Sequence, residues 1–366
     1  VFFVPTDFNL RIYNKYNKKI KELVERWGDK ISTSKNIEKN KRELERYRQS
    51  LKPGDITLLG LITEGGVGIQ TGDNGKYIGV LEGTKWADKV RQERPQKLWE
   101  FIQNKNPQEL KNLKSKAEVE QFLKNLSEQK IRNLFDELKE KYGRDIFGQG
   151  WLYRIVSKEE IADVETLTEE EKLNGIEGIR TFVPYDKGDK EGNRWWAPTP
   201  YYIDWSKQNV KKLKTDPKAR WQGYQFFFKE GFCWNNVSTP IHEESKFIKC
   251  RIKEKTVNDV ASMSLYLQIS LINNKYVVSL LNSKLLFNYL KNIINTSVNL
   301  QINDIRQLPI VIPTQEQLKE FESICDKAID IQKRRFSGQI RKEEAKKQLD
   351  EIQKELDEKV IKSYGL

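Results

Sequence analysis

Few residues in this chain have types and spacing suited to covalent chemistry. His242 is the only histidine, and Cys233, Cys250 and Cys325 are odd in number and far apart. Zinc sites draw their ligands from closely spaced Cys and His pairs, which this spacing does not supply. Ser-His-Asp catalysis would rest wholly on His242, within the polar run PIHEES. A metal-dependent nuclease needs spaced carboxylates and a lysine. Asp163, Glu170 and Lys172 match that need superficially, but TLTEEEK reads more simply as an exposed helix start, with Thr168 as N-cap and acids in the first turn. Gly66-Val67-Gly68 lacks the third glycine and the following helix of a dinucleotide loop, and there is no P-loop. An amino-methyltransferase core carries a short Asn/Asp-Pro-Pro-aromatic motif. Asn106-Pro107-Gln108 is the nearest string and lacks the second proline and the aromatic. No catalytic residue, metal or cofactor is therefore expected in this chain.

What remains is the chemistry of recognition, concentrated in three stretches. In GGVGIQTGDNGK (65–76), glycines permit close backbone approach, while Gln70, Thr71, Asn74 and Lys76 offer donors and acceptors. Gln and Asn can pair with adenine in the major groove, and Lys with guanine or phosphate. A glycine-rich hairpin turn with solvated polar side chains explains the same residues equally well. In PYDKGDKEGNRWWAPTP (184–200), Lys187, Lys190 and Arg194 are cationic, and Trp196 is a stacking surface beside Trp195; one of the two tryptophans is expected in the core. In KARWQGYQFFFKEGFCWNNVS (218–238), Arg220, Gln222, Asn235 and Ser238 interleave with aromatics. That pattern suits either a groove-facing edge on a stiff support or a half-buried hairpin with a polar outer face.

The elements that must position these loops follow from periodicity. Residues 9–50 predict two helices, the first closed by Gly28 and the second capped by Ser34. Ile56–Ile62 and Tyr77–Leu81 predict strands flanking the glycine-rich loop. Residues 85–142, without glycine, predict a helical insert. WLYRIV, IRTFVPY, YYIDW, YQFFF and KFIKCRI predict short strands. Short strands and a helix around Leu280–Ile294 follow, then an extended run pinned by Pro309 and Pro313. Thr314 and Gln317 form a capping box that starts a C-terminal α-hairpin broken at Ser337-Gly338. The fold class expected is α+β: a mixed, β-rich domain with a helical insert and a closing α-hairpin.

The chain has 366 residues and a net charge of +12, which suits an anionic partner such as nucleic acid. Sixteen Phe, fourteen Tyr and nine Trp are enough for a substantial core. The opening VFFVPTDFN has no signal-peptide pattern, and no apolar run approaches the roughly 20 residues of a membrane span. The scattered cysteines fit a reducing cytoplasm.

At the three loops the sequence resembles a known family. LLGLITEGGVGIQTGDNGKYIGV, with Thr71-Gly72-Asp73-Asn74 and Tyr77, is similar to the opening of the target-recognition region of Type IIG-like restriction–modification enzymes. These are single-chain adenine-N6 DNA methyltransferases, and related phage-exclusion methyltransferases look similar. VPYDKGDKEGNRWWAPTPYYIDW resembles the next segment and KEGFCWNNVS a later Trp-containing strand. Asn282-Ser283, Thr296, Gln301, Asp304-Ile305, Pro309 and Pro313 resemble the distal part, and EKVIKSYGL the C-terminal ending. The order of these segments, over about residues 50–366 without most of 85–142, carries the resemblance.

The resemblance implies a specificity region that clamps double-stranded DNA and reads bases. It is covalently linked in the parent to a methyltransferase domain that binds S-adenosylmethionine; some members also carry a nuclease. On that reading, 1–50 is a helical lead-in from the catalytic domain, 51–312 the recognition domain with its insert at about 85–142, and 313–366 the hairpin. Three alternatives stand beside it. A Type I-like specificity subunit would normally carry two recognition halves, a protein-interaction module would show no sequence preference for DNA, and a nuclease would use Asp163, Glu170 and Lys172.

Overall fold

The computed structural model describes residues 10–32, 41–147, 152–189, 191–235, 247–297 and 299–366. Among these residues 53% are helix and 15% strand, in several sheets, and the fold is α+β. Helix α1 (Arg11–Ser32) runs through Gly28 instead of ending there. Trp27 and Ile31 lie on either side of that glycine and are both buried, so packing outweighs the ~1 kcal/mol cost of a mid-helix glycine. Ser34, the expected cap of the next helix, lies outside the described residues. In α2 (Lys41–Ser50), Tyr47 packs on Trp27 with ring centroids 5.8 Å apart and shares a 2.7 Å hydrogen bond with Thr57.

The apolar run 56–62 is not one strand. It splits into β1 (Ile56–Leu58), a single helical turn α3 (Leu59–Ile62), and the start of β2 (Thr63–Gly66). All four residues of the turn are buried, so the run shows no amphipathic period by which helix and strand could be told apart. Arg306 supplies the donor that lets the turn exist in the interior, giving a 2.9 Å hydrogen bond to the Gly60 carbonyl. A one-turn helix α4 (Asn74–Tyr77) precedes β3 (Ile78–Leu81).

Helices α5 (Lys85–Lys105), α6 (Lys116–Lys124) and α7 (Glu128–Tyr142) enclose a core of their own, including Leu98, Phe101, Val119, Leu123 and Phe135. Two buried arginines fasten this block to β4 (Arg154–Val156). Arg94 forks onto both oxygens of Glu128 at 2.7 and 2.8 Å and reaches the Tyr153 carbonyl at 2.7 Å. Arg132 binds Glu160 and the Ile155 carbonyl. Helix α8 (Glu169–Asn174) starts at a Thr168–Glu171 capping box.

Strands β5 (Phe182–Asp186) and β6 (Tyr201–Asp204) are followed by α9 (Lys207–Thr215), β7 (Gly231–Asn235), β8 (Arg251–Lys253), β9 (Val257–Asn258) and β10 (Ser262–Leu267). They build an antiparallel four-stranded sheet, β2-β10-β7-β8, and a mixed five-stranded sheet, β4-β3-β6-β5-β9. YQFFF does not form the expected strand. Gly223 and Phe228 have positive φ, at 71° and 60°, which breaks the extended run. The three phenylalanines turn inward instead, with Phe226 stacked on Tyr266 and both Phe227 and Phe228 edge-on to Trp205.

Helix α10 (Asn274–Leu281) leads to α11 (Lys284–Tyr289), which widens into a looser turn over Leu290–Ile294; α12 (Ile302–Arg306) and β11 (Pro309–Val311) follow. β11 pairs antiparallel with β1. The hairpin is α13 (Gln315–Phe336) and α14 (Lys342–Ser363), with Thr314 and Gln317 capping reciprocally. Its apolar stripes share a core with Ile12 of α1 and with α10 and α11. The buried Tyr364 closes this core, its hydroxyl donating to the Pro309 carbonyl at 2.6 Å while its own carbonyl accepts from Tyr16 at 2.8 Å. Among the described residues, no helix is long and apolar enough to cross a membrane.

Candidate nucleic-acid interface

The first loop joins the third beside a hub formed by residues 258–260, to which the first and second loops bond. Ile69 donates to the Asn258 carbonyl at 2.8 Å and accepts from Val260 at 3.1 Å, while Asp259 donates to the Asp186 carbonyl at 2.8 Å. Gly68 allows this approach, because a Cβ there would lie 2.1 Å from the Asn258 oxygen. One step along, Gln70 and Arg220 exchange backbone hydrogen bonds of 3.2 and 2.8 Å. Gln222 donates to the Gly68 carbonyl at 3.0 Å. At Gly223 a Cβ would come within 2.5 Å of the Val67 carbonyl. The two loops thus form a platform held by main-chain contacts, which leaves the side chains of Gln70 and Arg220 exposed. Val67 and Tyr224 add exposed apolar surface beside them.

Other residues expected to face a partner are spent inside the platform. Thr71 is buried and donates to Asn74 at 2.6 Å, and Gln222 is committed to Gly68. Asp73 caps the 74–77 turn and accepts from Lys139 of α7 at 2.7 Å, which ties the glycine-rich loop to the helical block. Lys76 is half-exposed.

The second loop splits between two neighbours. Lys187 lies 3.7 Å from Asp259, and its amino group sits 5.8 Å from the Tyr153 ring centre. Burial lowers its pKa, and Asp259 opposes that shift. It lines a cleft of about 400 Å³ with Trp86, Tyr153, Tyr201 and Phe336. Trp195 is fully buried at a φ of 72°, held by backbone hydrogen bonds of 2.9 Å to the Cys250 carbonyl and from Ile252. Arg194 and Trp196 do not join the platform; both turn to the C-terminal hairpin. Arg194 covers Phe247 at 3.9 Å and donates to Gln353. Trp196 donates to Glu254 at 3.0 Å and meets Phe336 edge-on. Asn235 pairs through its backbone with Ser262; its side chain, Lys190, Ser238 and His242 lie outside the described residues.

The nuclease set is not assembled. Asp163 accepts from the Glu165 backbone, Glu170 from Asn174, and Lys172 donates to Glu169. Among the described residues, no group of three His, Cys, Asp or Glu side chains is placed to hold a metal ion. Asn106, in the string nearest to a methyltransferase motif, is the left-handed C-cap of α5. The three cysteines are buried, and burial raises the pKa of each.

Reading the sequence alone missed two features. One is the buried pair of Asp186 and Arg251, whose partners lie 65 residues apart. The other is a second, larger groove lined by α14 and residues 191–194, whose lysines look like solvated helix charge when read along the chain. No family model matches this chain, and no curated protein is significantly similar to it.

Proposed function

We propose that this chain reads the sequence of double-stranded DNA. In this reading it is the specificity region of a Type IIG-like adenine-N6 methyltransferase whose S-adenosylmethionine-binding core lies elsewhere in a cytoplasmic prokaryotic parent protein. The observation that carries the reading is the joining of the 65–76 and 218–224 loops into one main-chain-fixed platform with Gln70 and Arg220 exposed side by side. A glutamine amide matches the N6/N7 edge of adenine and a guanidinium the O6/N7 edge of guanine. A platform fixed before binding holds such groups at low entropic cost. The net charge of +12 supports phosphate contacts that add affinity without sequence information. Selection of bound duplexes from a random pool tests the reading. One short enriched motif is expected, and recovery of the pool unchanged would overturn it.

A protein-binding face is the second reading, favoured by the exposed Val67 and Tyr224 at the platform edge, at 36% and 51% exposure. It requires no preference among duplexes in the same selection.

A further inference from the structure

The groove between residues 191–194 and the hairpin has a volume of about 710 Å³. Among the described residues lining it, seven side chains are cationic and two acidic. Both acids already face a cation, Glu191 at 3.7 Å from Arg335 and Asp350 at 3.2 Å from Lys346. Lys249, Lys342 and Lys354 have no carboxylate partner among the described residues, and the latter two are exposed.

The wall of the groove is built in advance of any ligand. Asp189 accepts from the backbone of Glu191 and Asn193, while Arg335 donates to the Asn193 side chain at 2.9 Å. Gln332 donates to the Arg194 carbonyl at 2.9 Å. Gln353 accepts from Arg194 and donates to the Asn282 carbonyl at 3.2 Å. These contacts consume the amides that could discriminate base edges. What is left facing the groove is a set of ammonium groups, which act as point charges without directional demand. Phe247 lies beneath Arg194, and Leu349 is buried, so among the described residues the groove offers no exposed apolar anchor of the kind a protein partner uses.

We propose that this groove grips the phosphodiester backbone of a nucleic acid, separately from base reading at Gln70 and Arg220. Naming the partner as duplex DNA rests on the reading above. The test compares the full chain with a Lys249→Ala, Lys342→Ala, Lys354→Ala variant. Affinity for a 20-base-pair duplex is measured against salt, random-pool selection is run on both proteins, and thermal unfolding verifies the fold. The slope of log affinity against log salt is expected to become shallower by about 2 to 3, as for the loss of three phosphate contacts, with the selected motif unchanged. An unchanged slope in a variant that still selects the motif overturns the groove and leaves the reading intact. A shallower slope without any motif in either protein supports the groove and overturns the reading. No duplex binding at the lowest salt overturns both. Poly-glutamate bound as tightly as duplex by the wild type, and lost in the variant, overturns the assignment to phosphodiester.

Discussion

Arg251 and Asp186 meet in a buried fork, with Nη1 donating to Oδ2 at 2.9 Å and Nη2 to Oδ1 at 2.8 Å. Asp186 ends β5 of the five-stranded sheet and Arg251 opens β8 of the four-stranded one, so this pair joins the two sheets. Lys187 follows directly on one side, and the Trp195 backbone bridges to Arg251 on the other. The ion pair therefore sits beneath the second loop.

Substituting Asp186→Asn leaves the Arg251 charge buried without its counter-charge. Breaking such a pair costs about 3–5 kcal/mol. The midpoint of urea unfolding is expected to fall accordingly, with an unchanged slope against denaturant. A shift below about 1 kcal/mol would show that the sheets do not depend on it.

The same carboxyl sets an acid dependence. Burial would raise its pKa, but the charge and paired hydrogen bonds of Arg251 outweigh burial and hold it at about 2, below its ordinary 3.8. A depressed folded pKa contributes stability that is complete above the unfolded value and is lost as pH falls through the folded one. The stability advantage of the wild type over Asp186→Asn is therefore expected to narrow between about pH 4 and pH 2, as read from urea midpoints across that range. A constant difference would contradict this.

Glu128 holds the helical block through Arg94, which also reaches β4's neighbour Tyr153. Glu128→Gln is expected to cost about 1–3 kcal/mol by leaving charged donors poorly paired. Faster hydrogen exchange should appear first in α5 and α7. Uniform protection in the variant would remove the anchoring role.

Gly68→Ala would force a Cβ to within 2.1 Å of the Asn258 oxygen and displace the backbone next to Gln70. Overpacking of this kind costs about 1–3 kcal/mol. Duplex binding is expected to weaken together with stability. Unaltered binding would mean that the platform geometry does not matter.

Local signals were legible in the sequence and long-range partners were not. The Thr314–Gln317 capping box and the Thr168 N-cap are short-range chemistry, and both stand as read. The helical block followed from periodicity. The 59–62 turn was invisible because a run buried on every side has no period, and its stabilising donor, Arg306, lies far along the chain. Gly28 misled because the Trp27 and Ile31 packing that overrides it is tertiary. At the site, composition marked the three loops, but nothing local told that Thr71 would bond Asn74 or that Arg194 would turn to Gln353.

In the proposed reading, Gln70 and Arg220 contact base edges directly. Their side chains are exposed and the loop is held by backbone, so Gln70→Ala and Arg220→Ala should leave stability within about 0.5 kcal/mol. The decisive measurement is random-duplex selection run in parallel on the wild type and these two variants. The wild type is expected to enrich one motif, and each variant to lose preference at a single position, worth about 1–3 kcal/mol, while keeping the rest. An identical motif from all three proteins, or none from the wild type, would contradict the claim.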